Sequence, residues 1–456
     1  MVKRKFHVRV VRRSYLLPSA KDCFANFPEC EKLVFLDSSN GVGNSVLAWS
    51  PDHAIEGEMS PKKNERGNSW PLSEVDPGVE LERACHGEEW SFEKDLTPIG
   101  VGWHGWMSFE CGHAYESFPW TEKYSGDWSD YFFGRYRQAI VFLETGEALL
   151  LYAFCDDLVD GHIEQVELFE KLIGQDEQST QSQCLISEIV LPDSSVYQSG
   201  VEGLRAMIAK GELYQANLSA EFQGCYQGSA RSLYLSLRAK QPTSYSCFWD
   251  NGEKGALISN SPECFLKIEG DHVITKPIKG TILRSRNSLE DFKLMRRLQN
   301  DDKEIAELNM IVDMARNDLG RIAKIGQVSV KSAGELISFP TLHHRVATVS
   351  AKWDTSQGIG RIFAATFPPA SITGAPKVRA LQAIVDIENR SRGPYCGTFG
   401  YWLPGKLPFG QFSVLIRTVC FSRNRLRASF GAGIVWDSNP EEEWEETLLK
   451  SRYLRG

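Results

Sequence analysis

The stretch Ser413–Tyr453, SVLIRTVCFSRNRLRASFGAGIVWDSNPEEEWEETLLKSRY, decides the fold class. Two apolar, β-branched runs, Ser413 to Phe421 and Leu426 to Ser429, predict strands. Asn439-Pro440 joins a capping side chain to a proline suited to the first helical turn, and opens a last helix to about Tyr453. Upstream, the same mixture of elements continues. Val196 to Lys210 predicts a helix with Ser195 as N-cap and Gly211 as its stop. Leu257 to Ser259 and Phe265 to Ile268 predict strands. Leu289 to Asn300 and Asp302 to Leu319 predict helices, the second stopped by Gly320, and Pro376 starts another to about Glu388. Before Gly174, short strand-like runs dominate: Phe6, Val8 and Val10 alternating with polar residues, Leu33 to Leu36, Tyr136 to Phe142 and Glu147 to Phe154. A helix from His162 to Leu172 follows. The expected architecture is α+β: large antiparallel sheets forming a two-lobed sandwich with flanking helices. The polar, unpatterned Gly174–Gln183 (GQDEQSTQSQ) is the linker candidate, dividing an N-terminal subdomain, 1–174, from a second domain, 185–456.

Composition narrows the function classes. The chain has 456 residues, 42% apolar and 24% charged, with net charge −8, which describes a soluble globular protein. No basic block offers a nucleic-acid surface. The longest apolar stretch, around Ala148 to Phe154, is strand-sized and too short for a membrane span. The basic first twenty residues lack an apolar signal core. Eleven cysteines, an odd number without C-x-x-C spacing, read as reduced thiols rather than a disulfide framework or zinc site, and the expected location is cytoplasmic.

Several residues could carry chemistry. Glu304 and Glu307 share a helix face, as do Glu443 and Glu446, with Lys450 one turn beyond. Paired carboxylates on two helices suit a hard cation such as Mg2+; the spacing equally describes surface ion pairing. Ser371 to Lys377 sets small residues before a helix, whose free N–H groups could receive a carboxylate. Gly431-Ala432-Gly433 after a strand lets backbone N–H groups approach a ligand. Arg417, in the apolar run Val414 to Val419, needs an anionic partner if buried. A glycine turn, a helix cap and an internal ion pair explain the same features. Lys279, between Ile278 and Ile282 and before a Gly-Thr turn, would become a nucleophile if desolvation lowered its pKa; an exposed loop lysine fits as well. Glu263 after Ser261-Pro262 could be its acid partner. In the tandem His343-His344, one ring could belong to the core.

The order of these motifs resembles the chorismate-utilising enzymes: anthranilate synthase component I, aminodeoxychorismate synthase component I, isochorismate synthase and salicylate synthase. It is carried by Tyr214-Gln215-Ala216-Asn217-Leu218, Ser261-Pro262-Glu263, Pro277-Ile278-Lys279-Gly280-Thr281, Ala306-Glu307, Ile311-Val312-Asp313, Arg316-Asn317-Asp318, Ser371 to Lys377, Gly431 to Val435 and Glu443 to Thr447. The resemblance is strong from about Ser187 onward and weak before it, through Phe35 to Ser38 and Gly100 to Pro119.

The resemblance implies Mg2+ at Glu307 and Glu446, with Glu304 and Glu443 holding its waters. It implies that Gly431, Ala432, Gly433, Tyr395, Arg417 and Lys450 bind carboxylate. Thr373 and Gly374 line the site, and His344 lies near the reacting hydroxyl. Isochorismate-type members carry a lysine base where this chain has Gln215, which argues against water addition. Anthranilate synthases usually have alanine where this chain has Lys279, and a lysine there resembles the aminodeoxychorismate synthases. The implied reaction is amination of chorismate at C4, with Lys279 as nucleophile and Glu263 as general acid, toward para-aminobenzoate and folate. The alternatives are anthranilate synthesis or a non-catalytic glutaminase-binding paralogue. No glutaminase-type nucleophile elbow is present, so a separate glutaminase subunit is the expected ammonia source. Ser38, Tyr245 and Ser246 match a tryptophan pocket, although Phe35-Leu36-Asp37-Ser38 departs from the usual feedback motif.

Overall fold

A computed structural model describes residues 4–62, 70–121, 128–174, 185–339, 342–422, 424–452 and 454. The described strands form a 13-stranded and a 10-stranded sheet, almost wholly antiparallel, with helices packed around them. The α+β architecture of large sheets follows the alternation in the sequence. In the strand Arg4–Ser14, Phe6 and Val8 are buried while Arg4, Lys5, His7 and Arg9 face solvent, as a half-buried strand requires. The inner faces meet in an aromatic core that includes Trp106, Trp128, Trp249 and Phe132.

Both sheets draw strands from either side of the candidate linker. Val34–Asp37 pairs with Tyr245–Asp250 in the first sheet, and Gly102–Met107 pairs with Thr398–Leu403 in the second. Residues 175–183 of the linker candidate lie outside the described residues.

The expected strand Tyr136 to Phe142 is Gln138–Phe142 of the first sheet, and Tyr131–Tyr136 before it belongs to the second. The expected strand Ser413 to Phe421 divides instead: Phe409–Val414 lies in the second sheet and Thr418–Ser422 in the first. The corner turns at Arg417, whose φ of 51° is left-handed and whose carbonyl accepts from Asn260 N–H. It contains no glycine or proline, so the apolar run reads as one strand.

The long hairpin of Ala323–Ser338 and Leu342–Trp353 carries no expectation from the sequence, because its first strand is largely exposed and has no apolar run. The helix Ser194–Ala209 is capped by Asp193, not Ser195: the Ser195 N–H donates to Asp193 Oδ1 at 2.8 Å. Gly320 is the last residue of Asp302–Gly320 rather than its stop. The last helix is Pro440–Ser451, and Tyr453 lies outside the described residues.

Candidate active site

Three chain segments meet at Gln215. The strand Gln215–Gln227 pairs with Arg425–Ile434, setting Asn217 opposite Gly433 and Ser219 opposite Gly431. Gly374–Ala375 pairs with Gln215 and Ala216. Gly431, Ala432 and Gly433 therefore lie inside a strand, not after one. A Cβ on Gly433 would overlap Gln215 Nε2 and stand 3.2 Å from Lys279 Nζ. Glycine at 433 thus opens the space on which Gln215 and Lys279 converge. Gln215 is 1% exposed, and its Oε1 has no partner among the described residues. An unpaired buried amide oxygen costs about 1–3 kcal/mol, so this atom is poised for an incoming donor.

Lys279 sits on the strand Ile278–Leu283, and Gly280-Thr281 is part of that strand rather than a turn. Pairing with Leu342–Trp353 slips between Ile278 and Thr281, where Gly280 takes φ 85°. Such a bulge re-aims the neighbouring side chains. Lys279 keeps 15% of its side chain exposed, with Nζ 3.7 Å from Glu307 Oε2.

Glu263 links the strands Ala256–Ser261 and Cys264–Glu269 and is buried. Burial pushes its carboxyl up to about 7, against the pull of the Ser371 hydroxyl, the charge of Lys279 and the Ile278 N–H. Lys279 and Glu263 thus share one electrostatic environment. Thr281 stands opposite His344, and Thr281 Oγ1 is 2.8 Å from His344 Nδ1. Burial, then the charge of Arg417, then His343, lower His344 to about 4. His344 is therefore a neutral hydrogen-bonding group near neutral pH. Its neighbour His343 bonds Ser338 Oγ and Asp291 and belongs to the scaffold.

The helices Asp302–Gly320 and Pro440–Ser451 bring their acids within electrostatic reach of one another. Burial, then Glu307 and Asp301, raise the Glu304 carboxyl, with Lys279 opposing and Glu446 adding to the rise. Burial also raises Glu443, whose Oε1 accepts from Ser438 Oγ at 2.7 Å. Glu446 keeps half of its side chain exposed; partial desolvation opposes its ionisation, but Lys450, Lys279 and Lys303 outweigh that and hold the carboxyl low. Lys450 Nζ bonds both Glu446 Oε1 and the Gly431 carbonyl at 2.7 Å. This contact ties the acid helix to the glycine strand.

Among the described residues, no three His, Cys, Asp or Glu side chains form a ready metal-chelating group. Mg2+ needs no such cage, because it keeps waters and commonly takes one or two carboxylates plus a substrate oxyanion. The all-carboxylate donor set around Lys279 and Lys450 fits that chemistry.

Thr373 and Tyr395 stand deeper. The Thr373 hydroxyl donates to the Pro369 or Ala370 carbonyl, and Tyr395 is buried near Asn217, whose Nδ2 has no partner among the described residues. They shape the wall more than they offer free donors.

Sequence reading missed Ser371 as the partner of Glu263, and Lys303 among the acids. It also missed Arg392, which is buried and donates to the Asn217 carbonyl and to Glu388. Only the Glu388/Arg392 spacing carried a local signal.

Ser38, Tyr245 and Ser246 line a separate cavity of about 260 Å³ between the sheets. The neighbouring Asp37 carboxylate accepts from Tyr234 Oη at 2.8 Å and Arg238 Nε at 2.5 Å.

Known proteins resemble this chain in sequence and fold. Aminodeoxychorismate synthase component 1 of Salmonella typhimurium is 40% identical over 248 residues, a match spanning about half of each chain, 54% and 54%. Anthranilate synthase component 1 of Lactococcus lactis is 30% identical over 395 residues, 84% of this chain and 85% of that one. The crystal structure of anthranilate synthase component I from Streptococcus pneumoniae superposes with a TM-score of 0.77 at 26% identity, covering 91% of this chain and 92% of that one. The family described as chorismate binding enzyme matches residues 33–456, and this chain belongs to it.

Proposed function

We propose that this chain aminates chorismate at C4, giving 4-amino-4-deoxychorismate, with ammonia supplied by a separate glutaminase subunit. The observation that carries the reading is Lys279: mostly buried, facing Gln215 across Gly433, and within the field of a buried acid. Anthranilate-forming relatives, by resemblance, lack an amine at that position.

A bound Mg2+, held by Glu307 and Glu446 with Glu304 and Glu443 on its waters, would neutralise the ring carboxylate of chorismate and polarise the ring. Lys450, Arg417 and Tyr395 would complete carboxylate binding with the backbone of Gly431, Ala432 and Gly433. Thr373 and Gly374 would border the ring, and His344 would hydrogen-bond the C4 hydroxyl. The Lys279 amine forms a bond to C2, both ring double bonds shift, and the C4–O bond breaks. Glu263 gives its proton to the departing oxygen, which leaves as water. Ammonia bonds to C4, both double bonds shift back, and Lys279 departs from C2 as a free amine. Glu263, now a carboxylate, takes the surplus proton from the new C4 ammonium. Gln215 supplies no base for water, in keeping with amination rather than hydration.

The test is an assay of chorismate, Mg2+ and ammonium with products separated by chromatography, run with and without an added lyase. The expected product is aminodeoxychorismate, converted to para-aminobenzoate by the lyase; anthranilate alone would overturn the reading.

Chelation with EDTA is expected to stop turnover and Mg2+ to restore it. Glu446→Gln should lower kcat/KM by roughly 10–100-fold with little change in melting temperature, because the residue is exposed. Full turnover in EDTA would contradict the metal assignment.

The Ser38, Tyr245 and Ser246 cavity is proposed to hold tryptophan as a structural ligand. Asp37 is already engaged by Arg238 and Tyr234, leaving it poorly placed to respond to a ligand ammonium. Mass spectrometry of heat-denatured protein should release tryptophan, and added tryptophan should leave the amination rate unchanged. Strong inhibition would instead make the pocket regulatory.

A further inference from the structure

A second space opens onto Glu263. It is a small cavity of about 20 Å³, bordered by Glu263, Ser371, Thr366, Asp318 and Ala315. None of Lys279, Gln215, Gly433, Glu307 or Glu446 lines it. That volume holds one water-sized molecule and excludes a substituted ring.

Its lining has a polar side and an apolar side. At one end the Glu263 carboxyl and the Ser371 side chain border it together. At the other, Lys377 Nζ donates to Asp318 Oδ2 at 2.6 Å and to the Thr366 carbonyl at 3.1 Å. Phe265, Ile311 and Ala315 close the apolar side. Lys377 already occupies Asp318 and the Thr366 carbonyl, so the Glu263 carboxyl and the Ser371 hydroxyl are the groups left to meet a small N–H donor. Apolar walls limit it to one such molecule.

Under the amination reading, Lys279 occupies C2 and the acid-lysine end of the cleft holds the ring carboxylate. The second nucleophile must then reach C4 beside the acid that protonates the departing oxygen. We infer that this cavity is the ammonia seat: one ammonia waits against Glu263 and Ser371, away from Lys279, and passes directly to C4. Once Glu263 has protonated the C4 oxygen, its carboxylate stands ready to take the surplus proton that the new C4 ammonium releases. The N–C4 bond then forms as the bond from C2 to Lys279 breaks, with no further reactant. The inference rests on the proposed C4 amination and adds the place from which the amine attacks.

The experiment fills the cavity and varies ammonium. Ala315→Val adds two methyl groups at the apolar wall, and full-length protein is assayed with chorismate and Mg2+ over a range of ammonium sulfate. The apparent KM for ammonia should rise roughly ten-fold, the scale set by a methyl group in a tight pocket. The KM for chorismate should stay within about two-fold of wild type, the mark of a local steric effect. Thr366→Ser, which enlarges the space, should let methylamine yield an N-methylated product that wild type does not form, and it decides the matter if Ala315→Val folds poorly. Unchanged ammonia KM without methylamine use, or equal changes in both KM values, would make the cavity a water site only. Absence of any C4-amino product from wild type would overturn the amination reading instead.

Discussion

Lys279→Ala is expected to abolish C4 amination and to divert residual turnover to C2. The side chain is the amine that converges with Gln215 on the open face of Gly433, and its Nζ lies 3.7 Å from Glu307. If Lys279 takes C2 first, incoming ammonia finds only C4 open to displacement. Without it, ammonia meets C2 directly, and attack there leads toward anthranilate. Removal of a covalent nucleophile should cut the C4 rate by roughly 10³-fold or more. Chromatography of the variant's products, with anthranilate followed by fluorescence, separates the two routes. Intact-protein mass spectrometry of wild type with chorismate and no ammonia should show an adduct, mapped to Lys279 by peptide analysis. An alanine variant that forms the 4-amino product at the wild-type rate would remove Lys279 from the mechanism. The substitution should leave stability nearly intact, because it deletes a partly exposed side chain at a cleft wall, and thermal unfolding checks this.

What was legible in the sequence follows from how local each signal is. The start of the last helix is written in Asn439-Pro440, and Asn439 Oδ1 accepts from the Glu441 and Glu442 N–H groups at 2.9 and 3.3 Å. The shared faces of Glu304 with Glu307 and of Glu443 with Glu446 follow from helical periodicity alone. That the two faces approach each other is tertiary, and spacing could not separate it from surface pairing. The corner at Arg417 was illegible because a chain that changes sheets stays apolar when both inner faces are buried. Gly280 read as a turn, for a glycine at a bulge and one at a turn use the same left-handed freedom. Ser371 could not be matched to Glu263, since that contact depends on how the second sheet meets the segment before Lys377–Glu388. The family resemblance selected the residues, and the fold accounts for the unusual acidity of one of them.

Glu263→Gln should silence turnover, erase one limb of the pH profile and stabilise the protein at alkaline pH. Burial raises the Glu263 carboxyl from 4.5 to about 7, so near neutrality much of it remains protonated and able to donate to the C4 oxygen. Glutamine keeps the shape but has no proton to give, and loss of a general acid typically costs about 10²–10⁴-fold in rate. In wild type, kcat should fall as pH rises above about 7, because the required acid form disappears. His344, lowered to about 4, cannot produce that limb. The residual activity of the glutamine variant should therefore be flat across it. Stability follows the same displacement with its own sign. The folded value lies above the unfolded one, so the carboxyl's favourable contribution is complete below about 4.5 and is lost as pH rises through about 7. At pH near 8, wild type carries a buried carboxylate that the variant lacks, and the variant should be more stable by on the order of 1–3 kcal/mol. Near pH 4 the difference should vanish. Thermal unfolding at both pH values, paired with pH–rate profiles, tests the two halves together. An alkaline limb that persists in the variant would assign the acid to another residue. A variant destabilised equally at both pH values would make Glu263 a packing residue, because only an ionisable catalytic acid links lost activity to gained alkaline stability.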